Sequence, residues 1–128
     1  MYAIDEMTEY FKQIETLINK FEEKYDCIVA IKRSGWIMGV LISNKFDIPL
    51  FDCSEISILP DKFQNVLLVD DKICSGKTMR KYFNNLVKKG KTITTAAIYI
   101  EEDVFTDYWL EHLGKTRYMW YETQMVKQ

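Results

Sequence analysis

Four consecutive apolar residues, Val66-Leu-Leu-Val69, run straight into Asp70-Asp71 and, three residues later, into Ser75-Gly-Lys-Thr78 at the start of a helical stretch. An unbroken apolar run of this length reads as a strand buried on both faces, an arrangement found almost only in parallel sheets covered by helices. The helix that follows, from about Lys77 to Lys89, stops at Gly90, a residue type suited to the left-handed turn after a helix. Strand, polar loop and helix in that order constrain the chain to an α/β architecture.

The remaining segments repeat the pattern. Met7, Phe11, Ile14, Ile18, Phe21 and Tyr25 recur at spacings of three and four, which places them on one stripe of a long opening helix. Cys27-Ile-Val-Ala-Ile31 is a short buried strand, Lys32-Arg-Ser-Gly35 a loop, and Trp36 to Lys45 a helix. Asp47-Ile-Pro-Leu-Phe51 and Glu55-Ile-Ser-Ile-Leu59 read as further strands, and Thr92 to Ile100 as the last strong one. The expected fold is a mainly parallel sheet flanked by helices, in a single domain over residues 1–128. Within it, 1–26 is the opening helix, 27–100 the core, and 101–128 a C-terminal hood rich in aromatic residues.

Composition narrows the function classes. Hydrophobic residues at 48% and charged ones at 28% suit a folded globular chain. The formal charge of −2, without a basic block, argues against a nucleic-acid partner, and no apolar run is long enough to span a bilayer. Cys27, Cys53 and Cys74 lack CxxC spacing and His112 is the lone histidine, so neither a disulfide framework nor a zinc site is expected, and a reduced cytoplasmic setting fits.

The chemistry concentrates at the end of the Val66–Val69 strand. Ligands of open parallel sheets bind beyond the carboxyl ends of the strands. There Ser75, Gly76, Lys77 and Thr78 open a helix, so backbone N–H groups, two hydroxyls and the positive helix terminus can surround a phosphate. Asp70 and Asp71 repel phosphate but suit hydroxyls or a metal ion. A sugar phosphate satisfies both halves.

Val66 to Thr78 resembles the phosphoribosyl-pyrophosphate motif of type I phosphoribosyltransferases: four apolar residues, two acidic ones, a short variable stretch, then Thr or Ser, Gly, any residue and Thr. Ile28 to Gly35 resembles the pyrophosphate loop of the same family, Ala96 to Glu101 its later strand beside the base, and Tyr118 to Glu122, weakly, the close of short purine-salvage members. The resemblance implies an enzyme that transfers the 5-phosphoribosyl group to a nitrogenous base and releases pyrophosphate with Mg²⁺, in nucleotide salvage and as a homodimer. It assigns Asp70, Asp71 and Arg33 to catalysis, the aspartates meeting the metal only through substrate or water. Ile73, Cys74, Ser75, Gly76, Lys77 and Thr78 fall to the 5-phosphate, Lys32, Arg33, Ser34 and Gly35 to pyrophosphate, and Cys74, Glu101, Tyr118 and Trp120 to the base. A regulatory binder with the same fold and pocket but no turnover is the alternative.

Several positions depart from the family pattern. Lys72 stands where an apolar residue is usual, Ser34 where Gly is frequent, and Phe51 to Asn65 is too short for a long lid. Purine-salvage members carry an acidic residue at the Cys74 position and Lys at the Glu101 position; with both missing, the expectation is poor use of hypoxanthine and guanine and a preference for an acceptor bearing an exocyclic amine near Glu101. A nucleoside-triphosphatase P-loop is disfavoured because Asp71 stands where that motif needs Gly. A receiver-type phosphoacceptor is disfavoured because a strand-loop-helix unit precedes the acidic strand.

Overall fold

The computed structural model describes residues 4–101, 104 and 106–113. In chain order these form α1 (Ile4–Ile18), β1 (Cys27–Ala30), α2 (Trp36–Phe46), β2 (Leu50–Asp52), a 3-10 helix (Cys53–Ile58), β3 (Asn65–Ile73), α3 (Lys77–Lys88), β4 (Thr92–Ile100) and β5 (Tyr108–His112). The strands make one sheet in the order β2-β1-β3-β4-β5, and every neighbouring pair is parallel.

Both faces of the sheet are covered, which is why the central strands are apolar on both sides. On one face Ile28, Ala30, Leu67, Val69, Ala96 and Ile98 pack against Ile14 and Leu17 of α1 and Met38 and Ile42 of α2. On the other, Val29, Val66, Leu68 and Ala97 pack against Met79 and Leu86 of α3 and Cys53 and Ile56 of the 3-10 helix. Gly39 of α2 permits a close approach: a Cβ there would lie 2.9 Å from the Ala30 Cβ and 2.9 Å from a Leu50 methyl.

Four elements differ from the sequence reading. Helix α1 ends at Ile18 although the apolar stripe continues to Tyr25. Lys20 and Phe21 donate to the carbonyls three residues back, so the helix tightens and unwinds there. Phe21 and Tyr25 remain packed without it, as an edge-to-face pair 5.8 Å apart. Glu55 to Leu59, expected as a strand, lies mostly in the 3-10 helix. Asp52 accepts from the Ser54 N–H while Glu55 accepts from the Asp52 N–H at 2.8 Å, a reciprocal cap that starts a helical turn and overrides the alternating isoleucines.

Strand β3 is longer than its apolar run and carries Asp70, Asp71 and Lys72 within it, held by pairing with β4 through Lys72 opposite Tyr99 and Ile73 opposite Ile100. Part of the expected aromatic hood, Tyr108 to His112, is a fifth strand on the sheet edge. Asp107 anchors its start by accepting from the Thr95 N–H at 2.9 Å. Tyr118 to Glu122, including the base-site candidates Tyr118 and Trp120, lie outside the described residues. Among the described residues no helix is long and apolar enough to cross a membrane.

Candidate active site

The strand order reverses direction at β1 and β3, and in open parallel sheets a cleft forms at such a point beyond the carboxyl ends of the strands. The loop after β1, Lys32 to Gly35, and the end of β3 meet there. Gly35 makes the meeting possible: a Cβ on it would lie 2.8 Å from the Ile31 carbonyl oxygen, 2.9 Å from that of Val69 and 3.0 Å from the Asp70 Cα, all rigid backbone. Ile31 N–H donates to the Val69 carbonyl at 2.9 Å and Gly35 N–H to the Ile31 carbonyl at 2.8 Å, which turns the loop tightly over the strand.

Asp70 is buried, 8% exposed. Its Oδ1 accepts from the Ser34 hydroxyl at 2.7 Å and from the Asp71 N–H at 2.8 Å. Burial pushes the Asp70 carboxyl above its ordinary value, and those two hydrogen bonds only partly oppose it. Asp71 is half-buried beside it.

Lys32 is paired within the protein. Its ammonium pairs with Asp52 of β2 at 3.3 Å and sits 4.9 Å from the centre of the Trp36 ring. Arg33 and Ser34 are exposed, and the Lys32–Arg33 peptide is cis. The structure thus brings Ser34, Gly35, Asp70 and Asp71 together, with the Lys32 and Arg33 loop segment bordering them.

The second loop, Cys74 to Gly76, leads into α3. Gly76 has φ +84, a left-handed conformation that a side chain would strain, and it precedes the helix without a side-chain cap. Lys77 N–H lies 3.4 Å from the Ser75 hydroxyl, and the first N–H groups of a helix have no acceptor within the helix, which suits them to an anion. A cavity of about 130 Å³ is lined by Asp70, Lys72, Cys74, Ser75, Gly76 and Thr78 among others. Ile73, expected from sequence to belong to the phosphate loop, is a buried strand residue at 4% exposure whose carbonyl accepts the Glu101 N–H at 2.9 Å.

That backbone bond brings the ends of β3 and β4 together and produces a contact that sequence reasoning missed. Lys72 Nζ and Glu101 Oε2 lie 2.5 Å apart. The Lys72 side chain keeps 34% of its exposure and that of Glu101 only 9%. The expectation that Glu101 takes a hydrogen bond from an acceptor's amine therefore meets a donor already supplied by the protein. Lys72 was visible as an oddity in the motif, but its partner follows only from strand register. Cys74, next to the pair, has its thiol pushed upward by desolvation and then by the Glu101 carboxylate.

Among the described residues no group of three or more His, Cys, Asp or Glu side chains could hold a metal ion. Asp70 and Asp71 offer carboxylate oxygens that would meet a magnesium ion through its water or through substrate hydroxyls.

No family model and no curated protein matches the sequence. Solved structures do match. A xanthine-guanine-hypoxanthine phosphoribosyltransferase from Helicobacter pylori superposes with a TM-score of 0.75 at 17% identity, covering 87% of this chain and 84% of that one. A purine phosphoribosyltransferase from Pyrococcus horikoshii gives 0.69 at 23% identity over 82% and 83%. An orotate phosphoribosyltransferase from Aeropyrum pernix gives 0.67 at 12% identity over 95% and 80%. The all-parallel sheet flanked by helices is the fold of the type I phosphoribosyltransferases, and this chain has that fold.

Proposed function

We propose that the protein binds 5-phosphoribosyl 1-pyrophosphate and transfers its ribosyl phosphate to a nitrogenous base. The observation that carries this reading is the junction of Ser34 and Gly35 with Asp70, which shares a cavity with the helix terminus at Gly76. It sets hydroxyl acceptors between two loops suited to anions. Asp70 and Asp71 accept from the ribose hydroxyls, Ser75 to Thr78 hold the 5-phosphate, and the 32–35 loop faces the pyrophosphate with Arg33 as its cation.

In the reaction the bond from C1 of the ribose to the pyrophosphate oxygen breaks, and its electron pair leaves with pyrophosphate. The ring, now oxocarbenium-like, takes the lone pair of a base nitrogen, which then loses its proton. Arg33 stabilises the charge gathering on the leaving group, and the aspartates keep C1 aligned with the incoming nitrogen. Magnesium, when bound, neutralises pyrophosphate oxygens. No protein nucleophile is needed.

A cytoplasmic homodimer active in nucleotide salvage belongs to the same proposal. The exposed apolar residues Phe11, Ile37 and Phe46 offer a surface for self-association, and sedimentation at micromolar concentration tests it.

Thermal shift with phosphoribosyl pyrophosphate and Mg²⁺, followed by a screen of bases for pyrophosphate release, tests the function. A rise in Tm that disappears when Asp70 and Asp71 are both changed to Asn, together with turnover of one base, supports transfer. Binding without turnover of any base favours the regulatory alternative. An undiminished shift in the double variant removes the sugar assignment.

A further inference from the structure

We propose that Lys72, oriented by Glu101, is the residue that selects the acceptor, and that it favours a heterocycle presenting an oxygen, either a ring carbonyl or a carboxylate, over one presenting an amine. The proposal rests on the phosphoribosyl-transfer reading and deepens it.

Lys72 and Asp70 lie two residues apart on β3 and line the same cavity, together with Cys74 and Gly76. A group docked against Lys72 is therefore a neighbour of whatever Asp70 holds. Glu101 is absent from that lining and is the more deeply buried of the two, whereas Lys72 keeps about a third of its side chain in contact with solvent. The pair thus turns its cationic end toward the cavity and its anionic end toward the protein.

A lysine ammonium is a donor with no lone pair, so it rewards an acceptor atom and repels an amine that can only donate. The Glu101 carboxylate limits the reach of the flexible lysine stem. Its backbone N–H is fixed to the Ile73 carbonyl at 2.9 Å and its side chain is only 9% exposed, which restricts where the carboxylate can sit. Glu101 is accordingly a positioning residue, and the oxygen-bearing group meets Lys72. A purely structural ion pair would hold the ends of β3 and β4 together without any effect on acceptor choice, and this difference makes the proposal testable.

The experiment compares product nucleotides, whose binding requires no turnover, with bases as substrates. Inosine, guanosine, orotidine and adenosine 5-monophosphates are titrated into the full chain, and kcat/KM is measured for hypoxanthine, guanine, orotate and adenine with phosphoribosyl pyrophosphate and Mg²⁺. The expected result is at least about a tenfold preference for one or more oxygen-bearing ligands over adenosine monophosphate. Inosine and guanosine monophosphates report a ring carbonyl, and orotidine monophosphate a carboxylate.

Lys72→Met alone would leave Glu101 buried without its cation, so the informative variant is Lys72→Met combined with Glu101→Gln. This variant should lose the preference, while Lys72→Arg should retain most of it. Glu101→Gln alone should raise KM for the base more than it lowers kcat. The thermal shift given by phosphoribosyl pyrophosphate serves as the folding control. Adenosine monophosphate binding as tightly as the others, an unchanged preference in the double variant, or no nucleotide binding at all would each overturn the proposal. Selective nucleotide binding without turnover of any base would instead refute the transfer reading and leave the role of Lys72 standing.

Discussion

The Ser34 hydroxyl donates to Asp70 Oδ1 across 2.7 Å, joining the loop after β1 to the end of β3. The acceptor is a carboxylate whose burial raises its pKa above the ordinary value, so folding favours its protonated form. That contribution to stability is present at pH values below the ordinary carboxylate range and is lost as pH rises through the raised folded value. At neutral pH the ionised Asp70 weakens the unliganded fold. Asp70→Asn keeps an oxygen for Ser34 and for the Asp71 N–H and should stabilise the free protein by about 1 kcal/mol, or roughly 3–5 °C in Tm. The same change should abolish stabilisation by phosphoribosyl pyrophosphate. Thermal melts at pH 7 check both; a lower Tm in the variant contradicts the first expectation.

Binding should carry the matching pH dependence. A protonated Asp70 donates where a ribose hydroxyl needs an acceptor, so affinity should fall as pH drops through the raised Asp70 value, starting above the ordinary carboxylate pKa of about 4. Ligand phosphates titrate near pH 6 as well, at roughly their second pKa. Calorimetric titrations between pH 8 and 5 on the native protein and on Ser34→Ala separate the two effects. Loss of the Ser34 hydrogen bond should raise the Asp70 value further and move the fall to higher pH. Identical profiles would exclude Asp70 as the titrating group.

Gly35→Ala should be among the more damaging single-methyl additions available to the chain. All three atoms that the new Cβ would meet are backbone, at 2.8, 2.9 and 3.0 Å, and none can rotate away. A destabilisation of about 1–3 kcal/mol is expected in urea unfolding, with ligand binding weakened as the loop lifts from Asp70. Gly90→Ala meets no atom within 4 Å, but its φ of +77 strains a side chain, so it should give a smaller loss that leaves binding intact.

Asp26 pins the start of β3 from the other end of the sheet. Its Oδ2 accepts from the N–H groups of Asn65 and Gln64, each at 2.8 Å, and these bonds hold its carboxyl below the ordinary value. The stabilisation is present above the ordinary carboxylate pKa and lost as pH falls through the lowered one. Asp26→Ala should lose about 1–2 kcal/mol at pH 7, measured by denaturant titration, and the gap to the native protein should close in strong acid.

Cys74 should be a sluggish thiol despite its exposure and its place near a helix terminus. Desolvation and the Glu101 carboxylate keep it protonated at neutral pH, so alkylation should be slower than that of an unhindered thiol. Cys74→Ser should leave acceptor use largely intact. Rapid labelling by iodoacetamide at pH 7 would contradict the first expectation.

The sequence made β3 legible as far as Val69, because four apolar residues announce a buried strand. Its last four residues were not legible: Asp, Asp and Lys are poor strand formers, and only the ladder to a nine-residue β4 keeps them extended. Ser75 to Thr78 and Lys32 to Gly35 could be read because anion loops are local, with glycine, hydroxyls and a helix start falling within a few residues of one another. The Lys72–Glu101 pair could not, since it joins two strands through register that no local pattern encodes. The Asp52 to Glu55 spacing did announce a helix start, but alternating Ile56 and Ile58 imitated a strand.

A sheet in which every neighbour is parallel contains no hairpin, and this has a consequence for how the chain is made. β1 leaves the ribosome with only β2 as a partner, and its other edge waits for β3. A nascent chain that stops before Asn65 therefore has α1 and α2 ready for one face of the sheet but lacks the central strand β3 and the helix α3 that covers the other face. Because every strand pairing joins residues at least 12 apart in sequence, folding should be slow for a chain of 128 residues and should gather pace only once β3 emerges, so the strand bearing the acidic pair also completes the folding nucleus.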